Sequence, residues 1–165
     1  MRDGLYYHSD WFNEDGGPMR LSKKCQYALK AVFELARRQE GGPAKIQDIG
    51  RAQGISARFL EVILNELRHS GLLESRRGSE GGYLLARPAG EITVGEVIRS
   101  AQGPIAVAGE ERRGNGGGVA GDEAFEDLWR DIDEAIREVC DGRTFADLVE
   151  SARQKERQAA LNYVI

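Results

Sequence analysis

The sequence predicts a mainly α-helical fold with one small β-hairpin and a long amphipathic helix towards its C-terminal end. Apolar residues recur at helical spacing in several segments between residues 21 and 103. A glycine-rich turn, GSEGG, separates two short apolar runs. The later stretch DEAFEDLWRDIDEAIREVCDG keeps an apolar stripe over about four turns. With 165 residues, 41% of them hydrophobic, the chain can form one domain with an appended oligomerisation element.

The first helix is predicted in LSKKCQYALKAVFELARRQEGG. Ser22 is a favourable N-cap, and Gly41 and Gly42 end the helix. Its apolar face consists of Cys25, Ala28, Leu29, Val32, Leu35 and Ala36. The turn-forming cluster before Met19 predicts that residues 1–18 are a flexible N-terminal extension.

Two further helical patterns follow with a tight break at Gly54. AKIQDIGRAQG places Ile46, Ile49 and Ala52 on one face. ISARFLEVILNELRHSG starts from Ser56 and ends at Gly71, and its predicted core residues are Phe59, Leu60, Ile63, Leu64 and Leu67. A short helix, a turn containing glycine and a second helix indicate a helix-turn-helix.

A β-hairpin is predicted next, with GLLESRR and YLLAR as its strands. Leu72 and Leu73 enter the core, GSEGG forms the turn and Pro88 ends the second strand. A hairpin after a helix-turn-helix is the arrangement of a winged helix. The helix EITVGEVIRSAQGP, capped by Thr93, completes a predicted winged helix-turn-helix DNA-binding domain over residues 19–103.

The remainder of the chain differs in composition. Six glycines fall between residues 108 and 121, so residues 104–121 are predicted to be a mobile loop. Residues 122–142 form the long helix, and we expect its stripe to pair with a second copy of the chain, packing within the same chain being the alternative. That dimerisation stripe consists of Phe125, Leu128, Trp129, Ile132, Ile136 and Val139. In residues 143–165 a short helix, TFADLVESARQ, and a tail, AALNYVI, are predicted to pack on the core.

Charge is divided unevenly along the chain. Residues 19–87 carry 13 Lys/Arg against 7 Asp/Glu, a net of +6. Residues 88–165 carry 9 against 16, a net of −7, and the first 18 residues carry 1 against 4, a net of −3. This asymmetry predicts that the first half meets a polyanion, and double-stranded DNA is the predicted partner. Unevenly charged solvated surface is the alternative.

The N-terminal turn of the second helix in the pair should face the major groove, where its polar residues are Ser56, Arg58 and Glu61. Arg58 can bind guanine with two hydrogen bonds, and Glu61 can accept one from a cytosine amino group. An intrahelical pair between Glu61 and Arg58 is the alternative for the glutamate.

Further contacts are predicted on the wing and on the first helix. Arg76 and Arg77 can enter the minor groove or bind the backbone, and Ser79 and the amides of Gly78, Gly81 and Gly82 can donate to phosphate. A tight hairpin with solvated arginines is the alternative. On the first helix the predicted phosphate contacts are Ser22, Lys23, Lys24, Gln26 and Tyr27.

The two cysteines indicate a reducing cytoplasm and no disulfide framework. Cys25 is either a small buried helix residue or a redox-sensing thiol whose pKa is lowered by Lys23 and Lys24. His8 and His69 are isolated, no metal-ligand spacing is present and nothing indicates catalysis. No run is long and apolar enough for a membrane span, so no membrane partner is expected. A winged helix that serves as a protein-interaction scaffold, without DNA specificity, is the alternative function.

The motifs LSxKxxYAL, FLExILxxLRxxGLLxSxRGxxGGYxLA and ITxxxVIRxxxGP occur here in that order between residues 21 and 104. In these motifs the chain resembles the Rrf-type bacterial winged-helix transcription regulators, the family of IscR, NsrR and CymR. The resemblance implies a homodimeric repressor or activator that binds palindromic operator DNA. It also implies a base contact for Glu61.

Many members of that family hold an iron–sulfur cluster on three cysteines in the loop before the long helix. Residues 104–121 contain no cysteine and no histidine, so we expect no cofactor here. The chain is most similar to the cluster-free, CymR-like branch. That similarity implies control of cysteine or sulfur metabolism or of a redox response, and a cysteine-biosynthesis enzyme as a further partner. Occlusion of a promoter is the simplest consequence of DNA binding by a dimer, so we predict repression.

Overall fold

A computed structural model describes residues 21–38, 41–78, 80–104 and 122–162. The elements in chain order are α1 (Lys23–Arg37), α2 (Ile46–Gln53), α3 (Ala57–His69), β1 (Leu73–Arg76), β2 (Gly82–Leu85), a 3₁₀ turn (Ala89–Glu91), α4 (Val94–Gln102), α5 (Asp122–Asp141) and α6 (Phe145–Asn162). The mainly α fold with one β-hairpin is confirmed. The predicted extension at residues 1–18 lies outside the described residues, as does nearly all of the predicted loop at 104–121. None of the described helices has the length and apolarity needed to cross a membrane.

α1 is the central helix of the core. Its first turn is capped by Ser22, whose Oγ accepts a hydrogen bond from the Cys25 amide at 3.1 Å. Helices α2, α3, α4 and α6 all pack against it. The α1 side chains enclosed by these neighbours are Cys25, Ala28, Ala31, Val32, Glu34, Leu35 and Ala36.

The turn between α2 and α3 is tight because Gly54 adopts the left-handed conformation, with φ of 67°. It brings Ile55 so close to Gly50 that a Cβ on Gly50 would lie 2.6 Å from the Ile55 carbonyl oxygen. The buried edge of α2 therefore runs through Ile49 and Gly50. The prediction that Ala52 belongs to this face was wrong, because Ala52 is exposed.

α3 buries one stripe, made by Leu60, Ile63, Leu64 and Leu67. Phe59 was predicted to belong to this core, and that prediction was wrong: its side chain is 64% exposed. The reason is that Phe59 lies about 100° around the helix from Leu60, on the flank of the buried stripe. Its ring instead lies beside Tyr27 of α1, with the two centroids 6.4 Å apart.

The wing follows α3 after Gly71, whose φ of 77° ends the helix. Strands β1 and β2 are antiparallel, with Leu73 opposite Leu85 and Arg76 opposite Gly82. β2 also pairs with the loop before α2, where Ala44 and Tyr83 exchange two backbone hydrogen bonds of 2.8 and 2.9 Å. A Cβ on Gly82 would lie 2.4 Å from the Ala44 carbonyl oxygen, so this close approach requires glycine.

The joint between α5 and α6 is fastened to the start of α4. The Val94 amide donates to the Arg143 carbonyl at 2.9 Å, and the Phe145 amide donates to the Ile92 carbonyl at 3.0 Å. Phe145 is fully buried and Val149 is 5% exposed. The start of α6, which follows the joint, is thereby attached to the helix-turn-helix domain.

α6 corrects the predictions for the C-terminal segment. A short helix and a docked tail were expected, but one helix runs from Phe145 to Asn162, and Leu161 is 69% exposed. No glycine or proline interrupts this stretch, so the helix continues through its charged second half. Val149 is the last buried residue, because apolar residues at helical spacing are confined to the beginning of the helix. Residues 163–165 lie outside the described part of the chain.

Candidate nucleic-acid interface

The N-terminal half of α3 presents its predicted reading residues to solvent. Ser56, Arg58 and Glu61 are all exposed, and the Ser56 hydroxyl makes no capping hydrogen bond. Within the described residues neither Arg58 nor Glu61 takes part in an ion pair, so the intrahelical pair considered for Glu61 does not form here. Both side chains are free to reach a ligand.

The wing tip carries two exposed arginines, Arg76 and Arg77, followed by an exposed Gly78 with φ of 105°. Ser79 lies outside the described residues. The predicted phosphate-binding role of the Gly81 amide does not fit, because this amide is buried and donates to the Gly78 carbonyl at 3.0 Å. Its hydrogen bond closes the turn. Tyr83 is half-buried and packs against the core.

The start of α1 was expected to provide five phosphate contacts. In the structure these five residues differ in their exposure and in the contacts that they make within the protein. The Lys24 Nζ lies 3.0 Å from Glu66 Oε2 of α3, and the Gln26 side chain donates to the Leu21 carbonyl at 2.9 Å. The Ser22 amide donates to Gln102 Oε1 at 2.9 Å, and Tyr27 is half-buried. Lys23 is exposed and has no ion pair among the described residues.

Side-chain contacts connect α1 and α3 on the surface that carries the predicted DNA-binding residues. The Lys24–Glu66 pair and the contact between the Tyr27 and Phe59 rings both connect the start of α1 to the exposed flank of α3. The sequence reading missed one pair of exposed residues on this surface, Phe59 and Val62, which are 64% and 56% exposed. Helical spacing could have identified Val62, because it lies about 200° around the helix from Leu60.

Cys25 is a buried structural residue. It is 0% exposed, and burial raises its pKa to about 11, although the Lys24 ammonium lowers it in part. The hypothesis of a redox-sensing thiol with a lowered pKa therefore does not fit. Burial, together with the neighbouring Asp141 carboxylate, also raises the pKa of Cys140.

The described residues define a winged helix-turn-helix protein of the DNA-binding regulator class: a helix pair with an exposed second helix, a following hairpin with two arginines at its tip, and a long helix attached behind them. A profile of the Rrf2 family, described as iron-dependent transcriptional regulator, matches residues 21–151. The chain belongs to the Rrf2 family. Its members are transcriptional regulators, not enzymes.

Relatives of nearly full length support this assignment. The chain is 39% identical to a helix-turn-helix-type transcriptional regulator of Mycobacterium tuberculosis, over 81% of this chain and 83% of the relative. It is 38% identical to IscR of Klebsiella pneumoniae, over 87% and 92% of the two chains. Among solved structures it is similar to CymR, the global cysteine regulator of B. subtilis, at 33% identity and a TM-score of 0.69, covering 81% of this chain and 98% of that one.

The family description raises the question of iron. Cluster iron is held by cysteine thiolates, and the resemblance to the family predicts three cysteines for this purpose in the loop before α5. This chain has two cysteines in all, neither within residues 104–121, and Cys25 is enclosed in the core. No cluster of three or more potential metal ligands is found among the described residues. The residues present do not fit an iron–sulfur cluster held in that way.

Proposed function

We propose that this protein is a homodimeric repressor that binds a palindromic operator. The exposed N-terminal half of α3 enters the major groove, and the wing arginines bind alongside. The observation that carries this proposal is the state of Arg58 and Glu61, which are exposed and make no ion pair with any other described residue. The opposite face of their helix is fixed in the core. Repression follows from occlusion of the promoter by the bound dimer.

The α5 stripe supports the dimer. Phe125 and Val139, near the two ends of the helix, are 59% and 66% exposed, and Leu128 is 46% exposed. These side chains, together with the half-buried Trp129, Ile132 and Ile136, form one face of a helix of 20 residues. An apolar stripe of this length requires a second surface, and a second copy of the same stripe supplies it.

In the proposed dimer a two-fold axis near Ile132 relates the α5 helices of the two copies. In an antiparallel pair of α5 helices about that axis, Phe125 of one copy faces Val139 of the other. Val139 lines a groove of about 380 Å³, whose other lining residues include Leu29, Phe33 and Leu148. Lys30 and Arg143 also line the groove, but only with the apolar stems of their side chains, so the groove offers an apolar surface next to the α5 stripe.

The proposed regulator works without an iron–sulfur cluster, because the chain lacks the thiolates that would hold one. We further propose control of cysteine or sulfur metabolism, through a complex with a cysteine-biosynthesis enzyme. The support is the similarity to the global cysteine regulator of B. subtilis over 98% of that chain. Deletion of the gene under sulfur limitation, followed by transcript sequencing, tests the proposed control of sulfur metabolism. Derepressed sulfur-assimilation genes would support this control, and an unchanged sulfur transcriptome would contradict it.

Selection of operator DNA tests the main proposal. The purified chain is incubated with randomised duplexes at two salt concentrations, and bound DNA is sequenced. We expect a palindrome, with affinity lost in Glu61→Ala and Arg77→Ala and retained in the matched control Glu156→Ala on α6. Enrichment of no sequence, together with retention of a specific partner protein, would instead support the interaction scaffold.

The dimer is measured separately by analytical ultracentrifugation. Ile132→Glu places two carboxylates at the proposed axis, so we expect a monomer that keeps its helical circular dichroism and binds the operator weakly. A wild-type chain that sediments as a monomer at micromolar concentration would contradict the homodimer.

A further inference from the structure

Two exposed apolar side chains on α3 are not explained by the core. Phe59 is 64% exposed and Val62 is 56% exposed. They lie three residues apart and are therefore neighbours on the helix surface. Apart from Leu21, the other large apolar side chains recorded as exposed in the described chain belong to α5 and α6. We call Phe59 and Val62 the α3 apolar patch.

Val62 shares the outward face of α3 with the predicted reading residues. The buried stripe runs through Leu60 and Leu64, and at about 100° per residue Val62 lies nearly opposite to it. Arg58 lies one helical turn before Val62, and Glu61 is its immediate neighbour. The branched end of Val62 is thus presented to whatever Arg58 and Glu61 contact. Phe59 lies on the flank beside Tyr27 and limits the space on that side.

The surroundings of the α3 apolar patch indicate the chemistry of its partner. Arg58 and Lys23 are exposed and make no ion pair among the described residues, and the wing that follows α3 carries Arg76 and Arg77. A surface with these cations fits a polyanion better than an apolar protein partner. In duplex DNA the apolar group exposed in the major groove is the thymine 5-methyl group.

We propose that Val62 contacts the 5-methyl group of a thymine in each half-site and so selects thymine at that position. This inference rests on the proposed binding of α3 in the major groove. The contact removes the side-chain methyl groups of Val62 and the base methyl from water together. Arg58 and Glu61 select their bases by hydrogen bonds, whereas Val62 selects its base by shape and apolar contact.

Removing the methyl group from the DNA gives a direct test. In the operator recovered by selection, each thymine is replaced in turn by deoxyuridine, which keeps the hydrogen bonds of the base and lacks the 5-methyl. Fluorescence anisotropy of the full-length chain measures the dissociation constant. We expect one substitution per half-site to weaken wild-type binding by about fourfold, the factor that corresponds to about 0.8 kcal/mol for one buried carbon group.

The variant Val62→Ala, measured on the same unmodified and substituted duplexes, completes a double-mutant cycle between the protein and the DNA. It should bind the unmodified operator about fourfold more weakly per half-site and be indifferent to deoxyuridine at that same position. Leu161→Ala, which shortens an exposed apolar side chain on α6, is the matched control and should keep the wild-type profile. Circular dichroism of both variants checks that they are folded.

Two outcomes overturn the inference while leaving DNA binding intact. The first is a wild-type chain that selects a palindrome but ignores the removal of every thymine methyl. The second is a Val62→Ala variant with an unchanged deoxyuridine profile. Failure to enrich any duplex sequence is distinct from both, because it would refute the proposed regulator itself.

Discussion

Arg99 of α4 holds Asp141 at the end of α5 by two contacts, Nη2 to Oδ1 at 2.8 Å and Nη1 to Oδ2 at 3.1 Å. The hydrogen bond from Arg99 raises the pKa of its guanidinium above the usual range, although burial opposes this effect. The carboxylate packs directly over Gly95, where a Cβ would lie 2.0 Å from Asp141 Oδ1. This pair connects the end of the proposed dimerisation helix to α4.

Gly95→Ala should lower the free energy of unfolding, and the sign should reverse when Asp141 is absent. In the wild type the new Cβ displaces the Asp141 carboxylate, and overpacking of this kind costs roughly 1–3 kcal/mol. In an Asp141→Ala background the carboxylate is gone, and the remaining close atom, Arg99 Nη1 at 2.9 Å, is the end of a flexible side chain that has lost its partner and can turn aside. Alanine then stabilises α4 by up to about 1 kcal/mol through helix propensity. Urea denaturation of the four proteins measures both effects.

The matched control is Gly90→Ala, whose Cβ would lie 3.9 Å from its nearest neighbour, Ala146 Cβ. It should change stability by less than about 0.5 kcal/mol. An equal destabilisation by Gly95→Ala in both backgrounds would show that the Asp141 carboxylate is not the obstacle.

The dependence of folding stability on pH in the acidic range should be due in part to Glu96. Burial raises its pKa, but hydrogen bonds from the Thr93 amide and the Arg87 guanidinium outweigh this, so the pKa lies below its ordinary value of 4.5. A group whose pKa is lowered by folding contributes stability above its unfolded pKa, and the contribution is lost as the pH falls through the folded pKa. Glu96→Gln should therefore lose stability at pH 7 and have a flatter profile below about pH 4.5.

Thermal unfolding between pH 7 and pH 3 measures this difference. Thr93→Ala is the comparison, because it removes the helix cap at every pH and should cost about 1 kcal/mol. Parallel profiles for the wild type and Glu96→Gln would contradict the assigned pKa shift.

Local signals explain why much of the fold could be predicted. Ser22 and Thr93 do cap their helices, and Gly54 and Gly71 do end theirs, because caps and left-handed glycines act within a few residues. The hairpin is where its turn glycines and apolar runs placed it. Motif resemblance identified the family, which composition and periodicity alone do not specify.

Tertiary contacts explain what was missed. Phe59 lies on the flank of the buried stripe of α3, and the sequence does not show whether a neighbouring helix covers that flank; in the structure Tyr27 of α1 lies beside it and leaves it 64% exposed. The predicted phosphate contact of Lys24 stays a prediction, but its ion pair with Glu66 could not be predicted, because Glu66 is distant in sequence. Gly95 and Asp141 are also distant in sequence, so their contact depends on how α5 returns to α4.

The wing should lose its anchor in Gly82→Ala. A Cβ there would lie 2.4 Å from the Ala44 carbonyl oxygen, a backbone atom that cannot move alone. The two Ala44–Tyr83 hydrogen bonds must lengthen, at a cost of roughly 1–3 kcal/mol. We expect faster amide exchange at Tyr83 and weaker DNA binding, with the dimer intact. Gly41→Ala, with no atom within 4 Å of its Cβ, is the control, and equal exchange in the two variants would contradict this account.

Two adjacent lysines on α1 should differ in their effect on the salt dependence of DNA binding. Lys23 is exposed and makes no ion pair among the described residues, whereas Lys24 lies 3.0 Å from Glu66. Each phosphate contact contributes about 0.9 to the slope of log K against log salt, and a homodimer makes each contact twice. Lys23→Ala should therefore reduce the slope by about 1.8 while weakening binding to all sequences alike.

Lys24→Ala should leave that slope nearly unchanged, because its ammonium is already neutralised by Glu66 on the protein. Its cost to folding should be at most about 1 kcal/mol, since both partners of the pair are partly exposed. Titrations of one operator between 50 and 200 mM salt compare the two variants directly. A larger loss of slope for Lys24→Ala than for Lys23→Ala would mean that the Glu66 pair opens on binding and that Lys24 is the phosphate contact. Equal losses would assign a phosphate to both lysines.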